Sequence, residues 1–164
     1  MSNKKLDAMK RETIAGRLDR SPIHLLHRAG QCAGDVFGSE MGASDLTPRQ
    51  YAVLVAVSMN EGLSQTDLVE LTGVDRSTLA DIVRRMLKKG LLQRRRTKED
   101  ARAYAVKLTE EGARTLRSSE PVVKRVDDRL LAVLPPKQRE QFLTDLAAIV
   151  QALGGPQPAA PRKG

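Results

Sequence analysis

LSQTDLVELTGVDRSTLADIVRRMLKKGLLQRRR, residues 63–96, is the stretch of sequence that decides the fold. Ser64 is a typical helix N-cap, and Gly73 predicts the end of the short helix that follows it. Asp75 then caps a second helix of about fourteen residues, which ends at Gly90 in a position that favours glycine. This second helix has a predicted buried stripe at three- and four-residue spacing, formed by Leu79, Ile82, Val83 and Met86.

A basic hairpin is predicted directly after these two helices. Residues 91–96 and 103–108 are expected to form its strands, and the polar segment 97–102 is expected to form its turn. A short helix, a tight turn, a capped helix and a hairpin in this order are typical of a winged helix-turn-helix. The predicted fold class is therefore mainly α with a small β wing.

Further helices are predicted on both sides of this unit. Ser21 caps one upstream, and Thr47-Pro48-Arg49-Gln50 has the pattern of a capping box that begins another. Downstream, Thr109 caps a long helix that Pro121 is expected to kink, and Pro135-Pro136 begins the last helix. The core candidates of the helix after Thr47 are Tyr51, Leu54, Val55 and Val57.

The winged helix-turn-helix is expected to span about 47–108, within a domain that covers 21–153. The helices at about 21–40 and 109–153 carry apolar faces that a lobe of roughly 80 residues cannot cover alone. Two-fold pairing would bury these faces and make these elements dimerisation helices, whereas in the alternative they close an all-α monomer. We therefore expect a homodimer, with two DNA-reading helices about one DNA turn apart.

The composition favours one small domain and excludes several classes of protein. Of the 164 residues 40% are hydrophobic but only 2% are aromatic, which argues against RNA-binding folds that stack bases on aromatic side chains. The single cysteine, Cys32, excludes an internal disulfide and a multi-cysteine zinc site. No apolar run approaches the roughly 20 residues of a membrane-spanning helix, so no membrane association is expected.

The two ends of the chain are expected to lie outside the domain. Residues 1–20 are charged throughout, lack the apolar core of a signal peptide and are expected to form an N-terminal arm. Residues 154–164 are rich in Pro, Gly and Ala and are expected to be a disordered tail. A cytoplasmic location is the simplest expectation for such a chain.

Positive charge is concentrated in one part of the sequence. The formal net charge is +8, and residues 75–107 alone hold eleven Lys or Arg against four Asp or Glu, a local charge of +7. Such a concentration favours docking to a polyanion, although a solvated helix face is the alternative. Together with the helix-turn-helix pattern, this charge predicts double-stranded DNA as the partner.

The second helix of the motif would enter the major groove of DNA with its N-terminus first. Its short polar side chains suit base edges, and its arginines suit guanine or phosphate, while the hairpin would hold nearby phosphates or a minor groove. The predicted DNA-binding residues are Arg76, Ser77, Thr78, Asp81, Arg84, Arg85, Lys88, Arg94, Arg95, Arg96, Lys98, Asp100 and Arg102.

The sequence from about Ser21 to Leu153 resembles the multiple-antibiotic-resistance regulator (MarR) family of bacterial transcription factors. The resemblance lies in LTPRQYAVL (46–54), LSQTDLVELTGVDRSTLADIVRRMLKKGLLQRR (63–95) and the wing sequence DARAYAVKLTEEG (100–112). It implies a dimer with intertwined first and last helices and two winged lobes on a near-palindromic operator. It also implies repression that is relieved when a small molecule binds between the dimerisation and DNA-binding parts.

The resemblance assigns roles in the wing as well. It implies that Asp100 braces the wing arginines and that Arg102 reaches the minor groove. The wing departs from the family pattern at Thr97-Lys98, where the family often has Asp-Pro, and at Ala101, where it often has a second arginine. These departures affect how far the wing is expected to extend along the DNA and how tightly it is expected to bind in the minor groove.

Polar groups that suit a small effector cluster on the first predicted helix and at the start of the second. By the resemblance, this region is near the effector pocket of the family. Imidazole, amide and guanidinium groups suit an aromatic or phenolic acid or its coenzyme A thioester, whereas an ordinary polar surface is the alternative. The predicted ligand-binding residues are His24, His27, Arg28, Gln31 and Arg49.

Other functions are weighed against this interpretation. His24 and His27 could ligate a metal as an i, i+3 pair, but no third ligand presents itself, so no metal is expected. Cys32 could make the protein an oxidation-sensing repressor, although a lone buried cysteine is usually inert packing. Catalysis and a cofactor are not expected, because phosphate-binding, dinucleotide-binding and nucleophile motifs are missing. A winged-helix module that binds protein is the remaining alternative.

Overall fold

The computed structural model describes residues 16–60, 62–96 and 104–154. Within these residues the chain is mainly helical with one two-stranded antiparallel sheet, which confirms the predicted fold class. In chain order the elements are α1 (Pro22–Met41), α2 (Pro48–Met59), α3 (Gln65–Thr72), α4 (Arg76–Lys88), β1 (Leu92–Arg96), β2 (Tyr104–Leu108), α5 (Glu110–Leu131) and α6 (Pro136–Leu153). Residues 16–18 are also helical.

Side-chain caps fix where the helices of the winged lobe begin. The side chains of Thr47 and Ser64 each accept a hydrogen bond from the backbone N–H of the third helical residue, and the side chain of that residue accepts one from the backbone N–H of the cap, as the sequence predicts. Asp75 caps α4 by accepting a hydrogen bond from the Thr78 backbone N–H. Gly73 ends α3 in the left-handed conformation, with φ of 65°. These boundaries follow from local chemistry, because each cap satisfies backbone N–H groups that lack a helical partner.

The core of the lobe is built around α4. Its predicted stripe is confirmed: Leu79, Ile82, Val83 and Met86 are all buried. The prediction for α2 was partly wrong, because Val53 is fully buried, whereas Tyr51 and Val55 only pack against the edge of the core. The core is completed from α3, from the start of β1 and from β2 by Leu68, Leu91, Leu92 and Val106.

The hairpin pairs Leu92 with Leu108 at its base and Arg96 with Tyr104 at its far end. The first strand begins one residue later than predicted, because Leu91 lies outside the ladder. Leu63 adds a short bridge to this sheet, since its carbonyl accepts a hydrogen bond of 3.1 Å from the Val106 N–H. The predicted turn, residues 97–102, lies outside the described residues.

A small junction, here called the Thr109 clamp, joins the end of α4 to the start of α5. The Thr109 hydroxyl donates to the carbonyls of Gly90 and Leu91, at 2.5 and 3.2 Å, and the Thr109 N–H donates to Leu91 at 3.1 Å. The same hydroxyl oxygen accepts a hydrogen bond from the Gly112 N–H at 2.9 Å. Gly112 lies so close that a Cβ atom there would be 2.0 Å from the Leu91 carbonyl oxygen.

The helices outside the lobe are only partly covered. α1 packs along α5, where Glu40 pairs with Arg125 and Arg129 at 3.4 and 3.3 Å. α5 continues without a break through Pro121. In α6 no residue is buried, and large apolar side chains of α1 and α6 are exposed: Ile23, Leu25, Leu26, Phe142, Leu143, Ile149, Val150 and Leu153.

We expect Gly112→Ala to destabilise the protein by about 1–3 kcal/mol, because the added methyl group would overlap the Leu91 carbonyl and force the backbone to shift. The measurement is urea unfolding followed by circular dichroism. Gly38→Ala is the matched control, since a Cβ atom there meets nothing within 4 Å. In a helix this control should be neutral or stabilising by about 0.5–1 kcal/mol. Equal stability of wild type and Gly112→Ala would show that the Thr109 clamp tolerates a side chain.

Candidate DNA-binding surface and adjoining cavity

The start of α4 is held in place by a compact set of hydrogen bonds. One oxygen of Asp75 accepts from the Thr78 N–H at 2.9 Å and from the Ser77 hydroxyl at 2.7 Å. These hydrogen bonds, the one from Thr78 first, hold the pKa of the Asp75 carboxyl well below its usual range. Arg76 reaches back to the Thr66 hydroxyl at 3.4 Å, which links α4 to the helix before it. The end of α4 that would enter a groove is therefore fixed before any DNA binds.

One side of α4 faces solvent. Ser77, Ala80 and Arg84 are exposed at three- and four-residue spacing, and Lys88 is exposed one turn further on. Ser77, Arg84 and Lys88 are among the residues predicted from the sequence, but Ala80 is not. Ala80 could have been predicted from its spacing, because it lies between Ser77 and Arg84 on one side of the helix. A small apolar side chain at such a position can contact a thymine methyl group.

Three other predicted DNA-binding residues of α4 border a cavity, and of these Arg85 is itself exposed. Thr78 and Asp81 are half-buried, and together with Arg85 they line a cavity beneath the helix. Asp81 binds two arginines, because it accepts a hydrogen bond from Arg84 and pairs with the Arg85 Nε atom at 2.7 Å. The hydrogen bond from Arg84 is the main reason that the pKa of Asp81 is lowered.

The hairpin adds positive charge beside α4. Arg94 and Arg95 are exposed on β1, and Arg96 ends that strand. The remaining predicted residues of the wing, Lys98, Asp100 and Arg102, lie outside the described residues. The described part of the surface thus combines a helix side with short side chains and a neighbouring basic strand.

The cavity beneath α4 has a volume of about 670 Å³ and lies between four helices. α1 and α5 form its apolar walls, and the start of α2 and the inner side of α4 supply most of its polar groups. The side chains that line it include Ala33, Phe37, Arg49, Gln50, Tyr51, Thr78, Asp81, Ile82, Arg85, Val123, Val126, Asp127 and Leu130.

Burial shifts two ionisable groups in this cavity toward their neutral forms. The pKa of Tyr51 is raised by burial, and further by the nearby charges of Glu120 and Asp127. The pKa of Asp127 is raised by burial and by the charge of Asp128, against the smaller effect of Lys124. The permanent positive charges of the cavity are those of Arg49 and Arg85.

The structure separates the predicted ligand-binding residues into two groups. Arg49 lines the cavity, whereas His24, His27, Arg28 and Gln31 do not. Arg28 instead donates a hydrogen bond of 3.3 Å to Gln31 on the surface of α1. Cys32 is exposed on the same helix, in contrast to the buried packing role considered from the sequence.

Two further observations on the described residues concern membrane-spanning helices and metal sites. No helix among them combines the length and the apolar character that crossing a membrane requires. In the same residues, no three His, Cys, Asp or Glu side chains are grouped closely enough to hold a metal ion.

The sequence is similar to proteins of known function. A family model described as the MarR family matches residues 44–103. The transcriptional regulator HosA of Escherichia coli O127:H6 is 35% identical over 99 residues, which cover 60% of this chain and 73% of HosA.

Two solved structures have a similar fold. The PcaV transcriptional regulator of Streptomyces coelicolor, in complex with its natural ligand, matches with a TM-score of 0.76 and 32% identity, over 82% of this chain and 95% of PcaV. The transcriptional repressor CouR, bound to a 23-mer DNA duplex, matches with a TM-score of 0.76 and 29% identity, over 82% of this chain and 96% of CouR.

We expect Asp75→Asn to change how stability depends on pH. The folded pKa of Asp75 lies below the ordinary value of 3.8, so its ionisation stabilises the fold above that pH and this contribution is lost as the pH falls below it. Asparagine also caps helices but does not titrate. The stability difference between wild type and Asp75→Asn should therefore be constant above about pH 5 and shrink as the pH is lowered from there toward about pH 2 in urea unfolding.

The control for this pH dependence is Asp35→Asn. Among the described residues Asp35 has no hydrogen bond or ion pair from its side chain. Parallel pH profiles for Asp75→Asn and wild type would show that the cap does not depend on the charge of Asp75.

Proposed function

Because the chain belongs to the MarR family of DNA-binding transcriptional regulators, we propose that it is a dimeric repressor that a small aromatic acid releases from its operator. At the level of the family, the activity is regulation of transcription rather than catalysis. The observation that carries the proposal is the position of α4, which presents a solvent-facing side beside a basic hairpin and an inner side to a cavity. One helix is thereby available to both DNA and a ligand.

The solvent-facing side of α4 is proposed to read bases in the major groove. Ser77 and Ala80 are short enough to let the helix approach base edges, and Arg84 can reach the O6 and N7 atoms of guanine. Lys88 lies at the far end of the helix and, with Arg94 and Arg95, suits phosphate oxygens. Arg76, already bonded to Thr66, is suited to holding the register on the backbone.

The remaining residues of the proposed DNA-binding surface belong to the wing sequence. Arg96 is expected to continue the row of phosphate contacts, and Lys98 and Arg102 are expected to reach further along the duplex. Asp100 is proposed to orient these arginines. Thr78, Asp81 and Arg85 are proposed to act at the inner edge of α4 rather than on bases, because all three line the cavity.

A homodimer is supported by the apolar surface that one chain leaves uncovered. Ile23 is 80% exposed, Val150 is 67% exposed and Leu153 is 77% exposed, and water-exposed apolar surface of this extent is typical of an interface. A two-fold dimer through α1, α5 and α6 would cover these side chains. It would also place two copies of α4 on successive turns of a near-palindromic operator.

The cavity is proposed to be the effector site. Its volume of about 670 Å³ lies within the range of small-molecule pockets, and it combines apolar walls with a few polar groups. Arg49 gives it a positive charge for an aromatic or phenolic acid or for the corresponding coenzyme A thioester. The cavity lining does not include His24, His27, Arg28 and Gln31. These residues would contact only an effector that extends outside the cavity.

We expect substitutions in α4 to separate base reading from general affinity. Arg84→Ala should relax base preference, with the lost contact worth about 1–3 kcal/mol against the wrong base pair. Lys88→Ala should weaken binding to all sequences about equally, because phosphates carry no sequence information. The measurement is fluorescence anisotropy with an operator that the protein has first selected from random duplexes, and with single-base variants of that operator.

Salt dependence provides the control for this experiment. With six to ten phosphate contacts, affinity for any duplex should fall on the order of 10³–10⁵-fold between about 50 and 200 mM salt. A DNA affinity that does not change with salt concentration would contradict the proposed DNA-binding surface and would favour a protein partner for the winged lobe. Loss of affinity without loss of base preference in Arg84→Ala would place a different side of α4 in the groove.

We expect Val150→Glu to dissociate the dimer, because a buried and unpaired carboxylate is costly at an apolar interface. Sedimentation equilibrium should give the mass of one chain for this variant and of two chains for wild type. Gln151→Glu is the matched control, since it adds the same charge at the neighbouring exposed position of α6. A monomeric wild type would contradict the proposed assembly and leave α1 and α6 as the outer layer of a single chain.

A further inference from the structure

The carboxylate of Asp81 is shared between the two arginines that lie one turn further along α4. One carboxylate oxygen accepts a hydrogen bond from the Nη2 atom of Arg84, and the other oxygen pairs with the Nε atom of Arg85 at 2.7 Å. Spacings of three and four residues make both contacts possible on one helix. Because each oxygen has its own partner, the carboxylate restrains both side chains.

Asp81 and Arg84 lie in different surroundings. The Asp81 side chain is 35% exposed and borders the cavity, whereas the Arg84 side chain is 76% exposed on the solvent-facing side of α4. An unrestrained arginine side chain loses rotamer entropy when it is fixed against a base. Since Asp81 restrains Arg84 before any DNA is present, part of this loss is already incurred in the free protein.

The hydrogen bond to Asp81 leaves most of the Arg84 guanidinium group available for DNA. A guanidinium group carries five N–H donors, and a bidentate contact with the O6 and N7 atoms of guanine uses two of them. The described contact with Asp81 involves the Nη2 atom, which has a second N–H group. Arg84 can therefore contact a guanine and Asp81 at the same time.

The negative charge of Asp81 opposes binding to phosphates. Every duplex carries phosphates, so a contact between an arginine and a phosphate adds affinity without information about the sequence. A carboxylate beside Arg84 repels phosphate oxygens and holds the guanidinium group that would otherwise turn toward them. It thus disfavours the contact that is independent of sequence and leaves the contact with a base edge.

Resting on the proposed reading of bases by α4, we propose that Asp81 is a positioning residue that directs Arg84 toward guanine and away from phosphate. Asp81 contacts no base and acts through the guanidinium group that it holds. It lowers the affinity for DNA of any sequence and raises the preference for the operator. Arg85, bound to the other oxygen, keeps the carboxylate in the orientation that Arg84 requires.

The proposal predicts that Asp81→Asn changes affinity and preference in opposite directions. Binding to a duplex of unrelated sequence should become about two- to tenfold tighter, because a negative charge near the phosphates is removed. The preference for guanine at the position that Arg84 reads should fall by about threefold or more, because the arginine is no longer held. Asp81→Glu should keep most of this preference, since glutamate pairs with arginine at the same spacing.

The measurement is fluorescence anisotropy of the full chain with an operator selected from random duplexes, with single-base variants of that operator and with an unrelated duplex. The position at which Arg84→Ala loses preference identifies the base pair that Arg84 reads. Adding Asp81→Asn to Arg84→Ala should not change the preference further, because Asp81 acts only through Arg84.

Glu70→Gln is the matched control variant. It removes the same charge from an exposed position of α3, where the Glu70 side chain has no hydrogen bond or ion pair among the described residues. We expect this variant to bind all duplexes equally well or more tightly, with the base preference of wild type.

The possible results separate this inference from the proposed function. If Arg84→Ala relaxes the preference and Asp81→Asn keeps that of wild type, the positioning role is wrong and base reading by α4 stands. Weaker binding to all duplexes in both Asp81→Asn and Asp81→Glu would indicate a structural role and would also overturn the inference. If wild type has no preference, or Arg84→Ala retains it, the proposed reading of bases is wrong and the inference falls with it.

Discussion

The hydrogen bonds of the Thr109 clamp are the constraint on which the geometry of this protein depends. The hydroxyl and the N–H of Thr109 donate hydrogen bonds to the carbonyls that follow α4, and the same hydroxyl oxygen accepts one from the Gly112 N–H in the first turn of α5. The close approach of Gly112 to Leu91 leaves no room for a side chain between the two segments. The Thr109 clamp therefore ties the position of the start of α5 to the segment that follows α4.

The cavity is bordered by the helices that the Thr109 clamp joins, α4 and α5. α5 and α1 form its far walls, and α4 forms its near wall, so a ligand between them contacts both parts that the Thr109 clamp joins. Such a ligand can alter DNA affinity only by binding one arrangement of these helices better than another. Arg49, Asp81 and Arg85 line this cavity, and in the proposed function their charges would let a ligand distinguish the arrangements.

The sequence predicted those features that depend on local chemistry. Helix starts at Thr47, Ser64 and Asp75 follow from the side chain and the backbone of the same turn, and the stripe of α4 follows from helical periodicity. The position of Arg85 beside the cavity could not be predicted in this way, because Arg84 and Arg85 are chemically alike and only the tertiary structure places Arg85, and not Arg84, in the cavity lining. The polar cluster on α1 was expected near the ligand from the family resemblance, whereas the α1 residues that line the cavity are Gly30, Ala33, Gly34 and Phe37.

α6 has a consequence for the lifetime of the protein. Most helical stability in proteins comes from tertiary packing, and none of the 18 residues of α6 is buried against the described part of its own chain. In the proposed homodimer a second chain would supply this packing, and mass action would then make the order of α6 rise with the amount of protein. Newly made chains at low abundance would expose an unprotected segment to proteases, whereas chains at higher abundance would protect one another. The cell would thus remove a scarce regulator faster than an abundant one, which sharpens the threshold at which the regulator accumulates.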